Sequence, residues 1–327
     1  MRSFSCPVCA HLVVFENYAC LNCGTLLGYS RDKRDMIALN SSSEVTAHCA
    51  NADVARCNWV VDMPGQLCVC CALTRTRPAD GDADAMAAFA NAEAAKRRLV
   101  YQADDLGLTT DGVVFDLLSS AQEPVITGHA DGVVTIDLAE GDDAHREALR
   151  VQLAEPYRTM LGHLRHETGH WYWTVLVEGD PEPFRALFGD ERADYLEALQ
   201  RHYAAPAARG WEEHYVSSYA TAHPWEDWAE SFAHYLHIRD TLQTAAAYGV
   251  SVGGPDAQAT PDAPLAAVPR EDPRGFDEII STWLPLTYGL NAVNRSMGKG
   301  DLYPFVLSPT VLAKLAFVHH VVTAASG

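Results

Sequence analysis

Apolar and polar positions alternate along this chain with two different periods, and the changes of period mark its elements. The alanine-rich run from Ala85 to Tyr101, carrying Phe89 and Leu99, predicts a helix. Val113–Leu117 and Gly132–Leu138 are short, β-branched and bounded by Gly or Asp, so they predict strands. From Asp143 to Val177 the pattern is helical again, with an interruption near Pro156. A further helix is expected to start at Pro224, where Glu226 and Asp227 supply acids for the first turn. Residues 78–84 form a polar break that reads as a linker. Val252–Pro273 is rich in Pro and Ala and predicts a long surface loop. No internal repeat stands out.

Composition changes this picture little. The 327 residues are 48% hydrophobic and 20% charged, which fits a globular protein with a sizeable core. No apolar run approaches the roughly 18 residues needed to cross a bilayer, and the start carries no secretory pattern, so a soluble, cytoplasmic protein is expected. Charge is more informative. Residues 1–78 hold seven Lys/Arg against six Asp/Glu, so the remainder carries a formal charge of -20 of the chain's net -19. An acidic body repels phosphate backbones and weighs against nucleic acid as the main partner. Lys96-Arg97-Arg98 is expected to be the solvated, dipole-favoured end of its helix.

All nine cysteines lie between Cys6 and Cys71. In a chain expected in the cytoplasm, such a cluster reads as metal ligands before disulfides. Cys6-x-x-Cys9 and Cys20-x-x-Cys23 form two matched knuckles, the second followed by Gly24, whose permissive backbone suits the turn. Four thiolates close a tetrahedral zinc site with no open position, the structural type. Cys49, Cys57, Cys68, Cys70 and Cys71 follow. Cys68 and Cys71 restore the C-x-x-C spacing, so Cys49, Cys57, Cys68 and Cys71 are expected to hold a second zinc. Cys70 is then spare, and His48 remains an alternative ligand.

The catalytic signal is His166-Glu167-Thr168-Gly169-His170. On a helix, positions i and i+4 share a face, so both imidazoles can bind one zinc ion. Glu167 then points beside the metal, where it can take a proton from a water whose pKa zinc lowers towards about 7. Leu161, Leu164, Trp171 and Trp173 give this helix the apolar surface expected of a buried position. A catalytic zinc takes a third protein ligand and keeps one position open. The best segment for that ligand is His223–His234, where Glu226, Asp227, Glu230 and His234 fall on one face among Trp225, Trp228 and Phe232.

An H-E-x-x-H helix followed by E-D-x-A-E-x-F-A resembles the gluzincin metallopeptidases. That resemblance implies Glu230 as third zinc ligand and Asp227 as the acid that buttresses a ligand histidine. It implies Tyr219 as oxyanion donor, with Tyr215 as the alternative. More closely, the chain is similar to a bacterial family of zinc-binding metallopeptidases with an N-terminal zinc ribbon. The knuckles, Thr127–Ile136, His163–His170, His223–Glu230 and Leu290–Gly298 through Phe305 carry the likeness over nearly the full length.

The implied fold is α+β. A zinc ribbon over 1–30 and a second cysteine module over 44–77 precede a zincin-like domain over 85–327. The implied cofactors are three zinc ions, one catalytic and two structural. The implied activity is hydrolysis of peptide or amide bonds in a peptide or protein substrate, with Val133–Leu138 as an edge strand for an extended substrate. The competing reading is a zinc-stabilised binding or regulatory protein with a vestigial site. Such a scaffold needs neither Glu167 nor an open metal position.

Overall fold

Short strands and cysteine turns, too small to bury a core alone, make up the first 77 residues. In the computed structural model, which describes residues 1–39, 46–121, 124–141, 159–205, 207–253 and 275–325, they form three two-stranded antiparallel ribbons. These are β1 (Phe4–Ser5) with β2 (Leu12–Val13), β3 (Leu27–Ser30) with β4 (Asp35–Ala38), and β5 (Ala47–His48) with β6 (Val60–Val61). Gly24, at φ +73°, closes the second knuckle with its N–H on the Cys20 carbonyl. Phe4, Phe15, Tyr29 and Trp59 pack edge-on into one aromatic core that both cysteine groups share.

A one-turn helix, α1 (Val69–Ala72), and β7 (Thr74–Thr76) lead into the long α2 (Ala83–Asp105), capped by Asp82 accepting from the Ala85 N–H. Tyr101 of α2 completes the aromatic core of the ribbons. Here the expected solvated basic end is corrected. The helix runs on past Tyr101, so Lys96 and Arg97 lie in its interior beneath the cysteine layer. Lys96 is fully buried, donates to Glu93 at 2.6 Å and to Thr74, and stands over the Phe115 ring. Arg97 is buried and donates to the Arg56 carbonyl at 2.9 Å. Arg98 alone is exposed, paired with Glu16. Buried cations need compensating partners. Glu93 provides one, and the Cys71 sulfur lies 3.7 Å from its other oxygen.

β8 (Val114–Leu118), β9 (Gly128–Ala130) and β10 (Val133–Asp137) join β7 in a four-stranded sheet of order β7-β8-β10-β9. β10 runs parallel to β8 and antiparallel to β9, with Val134 opposite both Phe115 and His129. β10 is therefore interior, and β7 and β9 are the edge strands, β9 the one beside it. The reason is a tight hairpin at Asp131-Gly132, both at positive φ, which folds Gly128–Ala130 back onto β10.

Six more helices complete the described chain: α3 (Met160–Leu176), α4 (Glu182–Phe188), α5 (Tyr195–Ala204), α6 (Pro224–Ala247), α7 (Phe276–Ser296) and α8 (Pro309–Ala325). The beginning of the expected 143–177 helix and nearly all of the expected 252–273 loop lie outside the described residues. α3 and α6 pack as the central pair, with α2 on α3 and α8 on α6. Among the described residues no helix is long and apolar enough to cross a membrane.

Candidate metal centre

α3 starts at Thr159, whose hydroxyl accepts the Gly162 N–H at 3.0 Å. This cap fixes the register that puts His166 and His170 on the face towards α6. α6 starts at His223, whose Nδ1 accepts the Trp225 N–H and whose Nε2 donates to the Ala193 carbonyl, with Pro224 at the first helical position. The two helices touch where α3 has no side chain. A Cβ on Gly169 would sit 3.2 Å from Ala229 Cα and 3.3 Å from its carbonyl oxygen. Trp228 Nε1 locks the crossing by donating to the Gly169 carbonyl at 2.8 Å.

Across this crossing, the Nε2 atoms of His166 and His170 converge on one oxygen of Glu226, Oε2, at 3.0 and 3.5 Å. Three ligands on a tetrahedral ion with bonds of about 2.0–2.1 Å stand about 3.3 Å from one another. The donor set therefore fits zinc. His166 Nδ1 lies 2.7 Å from Glu230 Oε1. Donation there leaves Nε2 with its lone pair towards Glu226.

Both carboxylates of this face therefore meet His166, one at each ring nitrogen. Glu230 meets the far nitrogen of His166, and Glu226 occupies the point where both Nε2 atoms meet. One helical turn separates the two carboxylates on the same face of α6. Asp227 meets neither histidine ring; its Oδ2 accepts from Lys314 at 2.6 Å. Burial pushes its carboxyl up to about 7 although Lys314 opposes this.

Glu167, His166 and His170 each place a ligand-capable atom within 4.8 Å of the others. Burial raises the Glu167 carboxyl above its ordinary value, against the pull of the two histidines. Burial also opposes charge on Glu226 and Glu230. The histidines nevertheless hold Glu226 well below the carboxylate range and Glu230 at about 2. The Tyr219 ring lies 5.9 Å from the His166 ring, on a short 3-10 turn packed against α6. Tyr215 lies instead under Lys314 Nζ, 4.2 Å from its ring centre.

Tyr195 was not foreseen. Its hydroxyl donates to Glu226 Oε1 at 2.5 Å. It stands 31 residues before its partner, and no local spacing announces it. His129 on β9 also comes near His170. Burial first, and that histidine second, lower it to about 4.

The cysteines gather as two sets, Cys6/Cys9/Cys20/Cys23 and Cys49/Cys57/Cys68/Cys71. Sulfur pairs stand 3.7 Å (Cys6–Cys23), 3.6 Å (Cys9–Cys20) and 3.7 Å (Cys57–Cys68) apart. Disulfide sulfurs stand about 2.05 Å apart. Two thiolates on a tetrahedral zinc with bonds of about 2.3 Å stand about 3.8 Å apart. Both sets fit zinc and neither is disulfide-bonded. Cys70 is buried outside the second set, and His48 Nε2 turns to the Leu27 carbonyl.

Comparison with known proteins agrees with this chemistry. Residues 85–321 match the family described as "Putative zinc-binding metallo-peptidase". The chain belongs to this family. Residues 3–82 match a zinc-ribbon domain. Proteins of Mycobacterium tuberculosis and Mycobacterium bovis, both described as uncharacterized, are 50% identical over 335 residues, covering 98% of this chain and 95% of theirs. No solved structure matches the chain. The metallopeptidase-family domain thus follows a zinc-ribbon domain, and zinc is the metal that both families and the cysteine sets support.

Proposed function

We propose that this family member is a cytoplasmic, gluzincin-type zinc peptidase that hydrolyses peptide or amide bonds. The observation that carries the reading is the convergence of His166 Nε2 and His170 Nε2 on Glu226 Oε2, at 3.0 and 3.5 Å. A cytoplasmic setting is supported by nine free cysteines, eight of them in two metal-binding sets.

In this reading His166, His170 and Glu226 hold the catalytic zinc, and the two cysteine sets hold two structural zincs. When bound, the catalytic zinc polarises the scissile carbonyl and makes water acidic enough to attack near neutral pH. Glu167 takes the proton of the attacking water and passes it to the leaving amine. Glu230 keeps His166 in the tautomer that frees Nε2, and Tyr195 fixes the orientation of Glu226. Tyr219, beside the His166 ring, donates to the oxyanion. An extended substrate adds to the free edge of β9, which packs against α3 and carries His129.

The choice of Glu226 over Glu230 as the third ligand is tested by metal analysis. Glu226→Ala should hold two zinc ions per chain and lose hydrolysis. Glu230→Ala should still bind a third zinc, more weakly by about 10–100-fold. The opposite pattern restores Glu230 as the ligand and overturns this assignment.

A further inference from the structure

Beside the metal centre, α5 forms one wall of a cleft of about 470 Å³. Tyr195, which holds Glu226, begins a stripe of α5 that continues through Ala198 to His202, at i, i+3 and i+7. The lining charge is of one sign. Arg201, Arg209, His202 and His214 face the cleft with Trp211 and Tyr215, and none of the described lining residues is acidic. In a chain of net charge -19 this is a local reversal.

The cationic groups are open to a ligand. Arg201 pairs with Glu197 at 2.6 Å, but both side chains are largely exposed, a kind of pair that contributes little and exchanges readily. Arg209 has no hydrogen-bond or ion-pair partner among the described residues. The cleft also connects to the chemistry. His202 packs edge-on against Tyr219 at 5.8 Å, and Tyr219 lies against His166.

We propose that this cleft is a substrate subsite that selects an acidic side chain, Asp or Glu, a few residues from the scissile bond. The inference rests on the peptidase reading above. The seven helical steps from Tyr195 to His202 on α5 span about 10 Å, and an extended peptide covers that distance in about three residues. The guanidinium groups of Arg201 and Arg209 pair with the substrate carboxylate, and Trp211 and Tyr215 cover its aliphatic stem.

The test is cleavage of a positional-scanning peptide library by the zinc-loaded full chain, read by mass spectrometry. The expected result is enrichment of Asp or Glu at one position two to four residues from the cut. For a matched pair of peptides with Glu or Gln there, kcat/KM should favour Glu by about tenfold, chiefly through KM. Arg201→Gln/Arg209→Gln should bring that ratio close to one. Cleavage without acidic enrichment, or a ratio unchanged in the double variant, overturns the subsite. If the wild type cleaves no peptide, the peptidase reading fails separately. The cleft is then judged by fluorescence anisotropy with labelled Glu- and Gln-containing decapeptides, and equal affinities overturn it.

Discussion

Gly169→Ala is the substitution most directly aimed at the joint between the two halves of the metal centre. The new Cβ would meet Ala229 Cα at 3.2 Å, and Ala229 O and Phe232 Cδ1 at 3.3 Å each. Carbon contacts are comfortable at about 3.5–4.0 Å, so α3 and α6 must part by about 0.3–0.6 Å. Two of the three contacts are backbone atoms, which cannot rotate away. Overpacking of this kind costs about 1–3 kcal/mol, and the better helix propensity of Ala offsets about 1 kcal/mol. The net loss should be about 1 kcal/mol, or about 2–4 °C in Tm for a domain of this size. Zinc binding should suffer more. His166 and His170 ride on α3 and Glu226 on α6, and metal sites tolerate displacements of about 0.2 Å. Differential scanning fluorimetry and competition with a chelator check the two effects. A variant with unchanged Tm and unchanged affinity for its catalytic zinc would refute the tight crossing.

Other outcomes follow from single contacts. Lys96→Met strands the fully buried Glu93 carboxylate and should cost about 3–5 kcal/mol, whereas Glu93→Leu/Lys96→Met should recover most of it; urea denaturation measures both. Tyr195→Phe removes the hydrogen bond to Glu226 and should weaken catalytic zinc by about 10–100-fold in chelator competition, with Tm little changed. Arg185 holds the Glu191 carboxyl below its usual range, against burial. The stability this gives is full above the unfolded carboxylate value of about 4.3 and lost as pH falls through the lower folded value. The Tm difference between wild type and Arg185→Met should therefore be constant above about pH 5 and shrink in more acid solution.

The candidate metal-binding groups were legible where they repeat at fixed local spacing. His166 and His170 are one helical turn apart, and the C-x-x-C knuckles announce themselves in the same way. Choices that depend on packing were not legible. Glu226 and Glu230 share a face of α6, and spacing alone does not say which of them stands at the Nε2 atoms and which at Nδ1 of His166. Lys96 and Arg97 look like a solvated helix end until the cysteine-rich layer is laid over them. The edge strand was misplaced for a different reason. Asp131-Gly132 is a hairpin signal, and reading it would have moved the free edge from β10 to β9. Tyr195 carried no sequence signal, because its partner is distant in the chain.

In the proposed reaction Glu167 works as a base beside a zinc held by its neighbours. The most direct test pairs zinc content with peptide hydrolysis in wild type and Glu167→Gln. Glutamine keeps the shape and polarity of the side chain and removes its basic oxygen. Three zinc ions per chain are expected in both proteins, with hydrolysis lower by about 10²–10⁴-fold in the variant. Hydrolysis at the wild-type rate in Glu167→Gln, with its zinc in place, would contradict this role for Glu167.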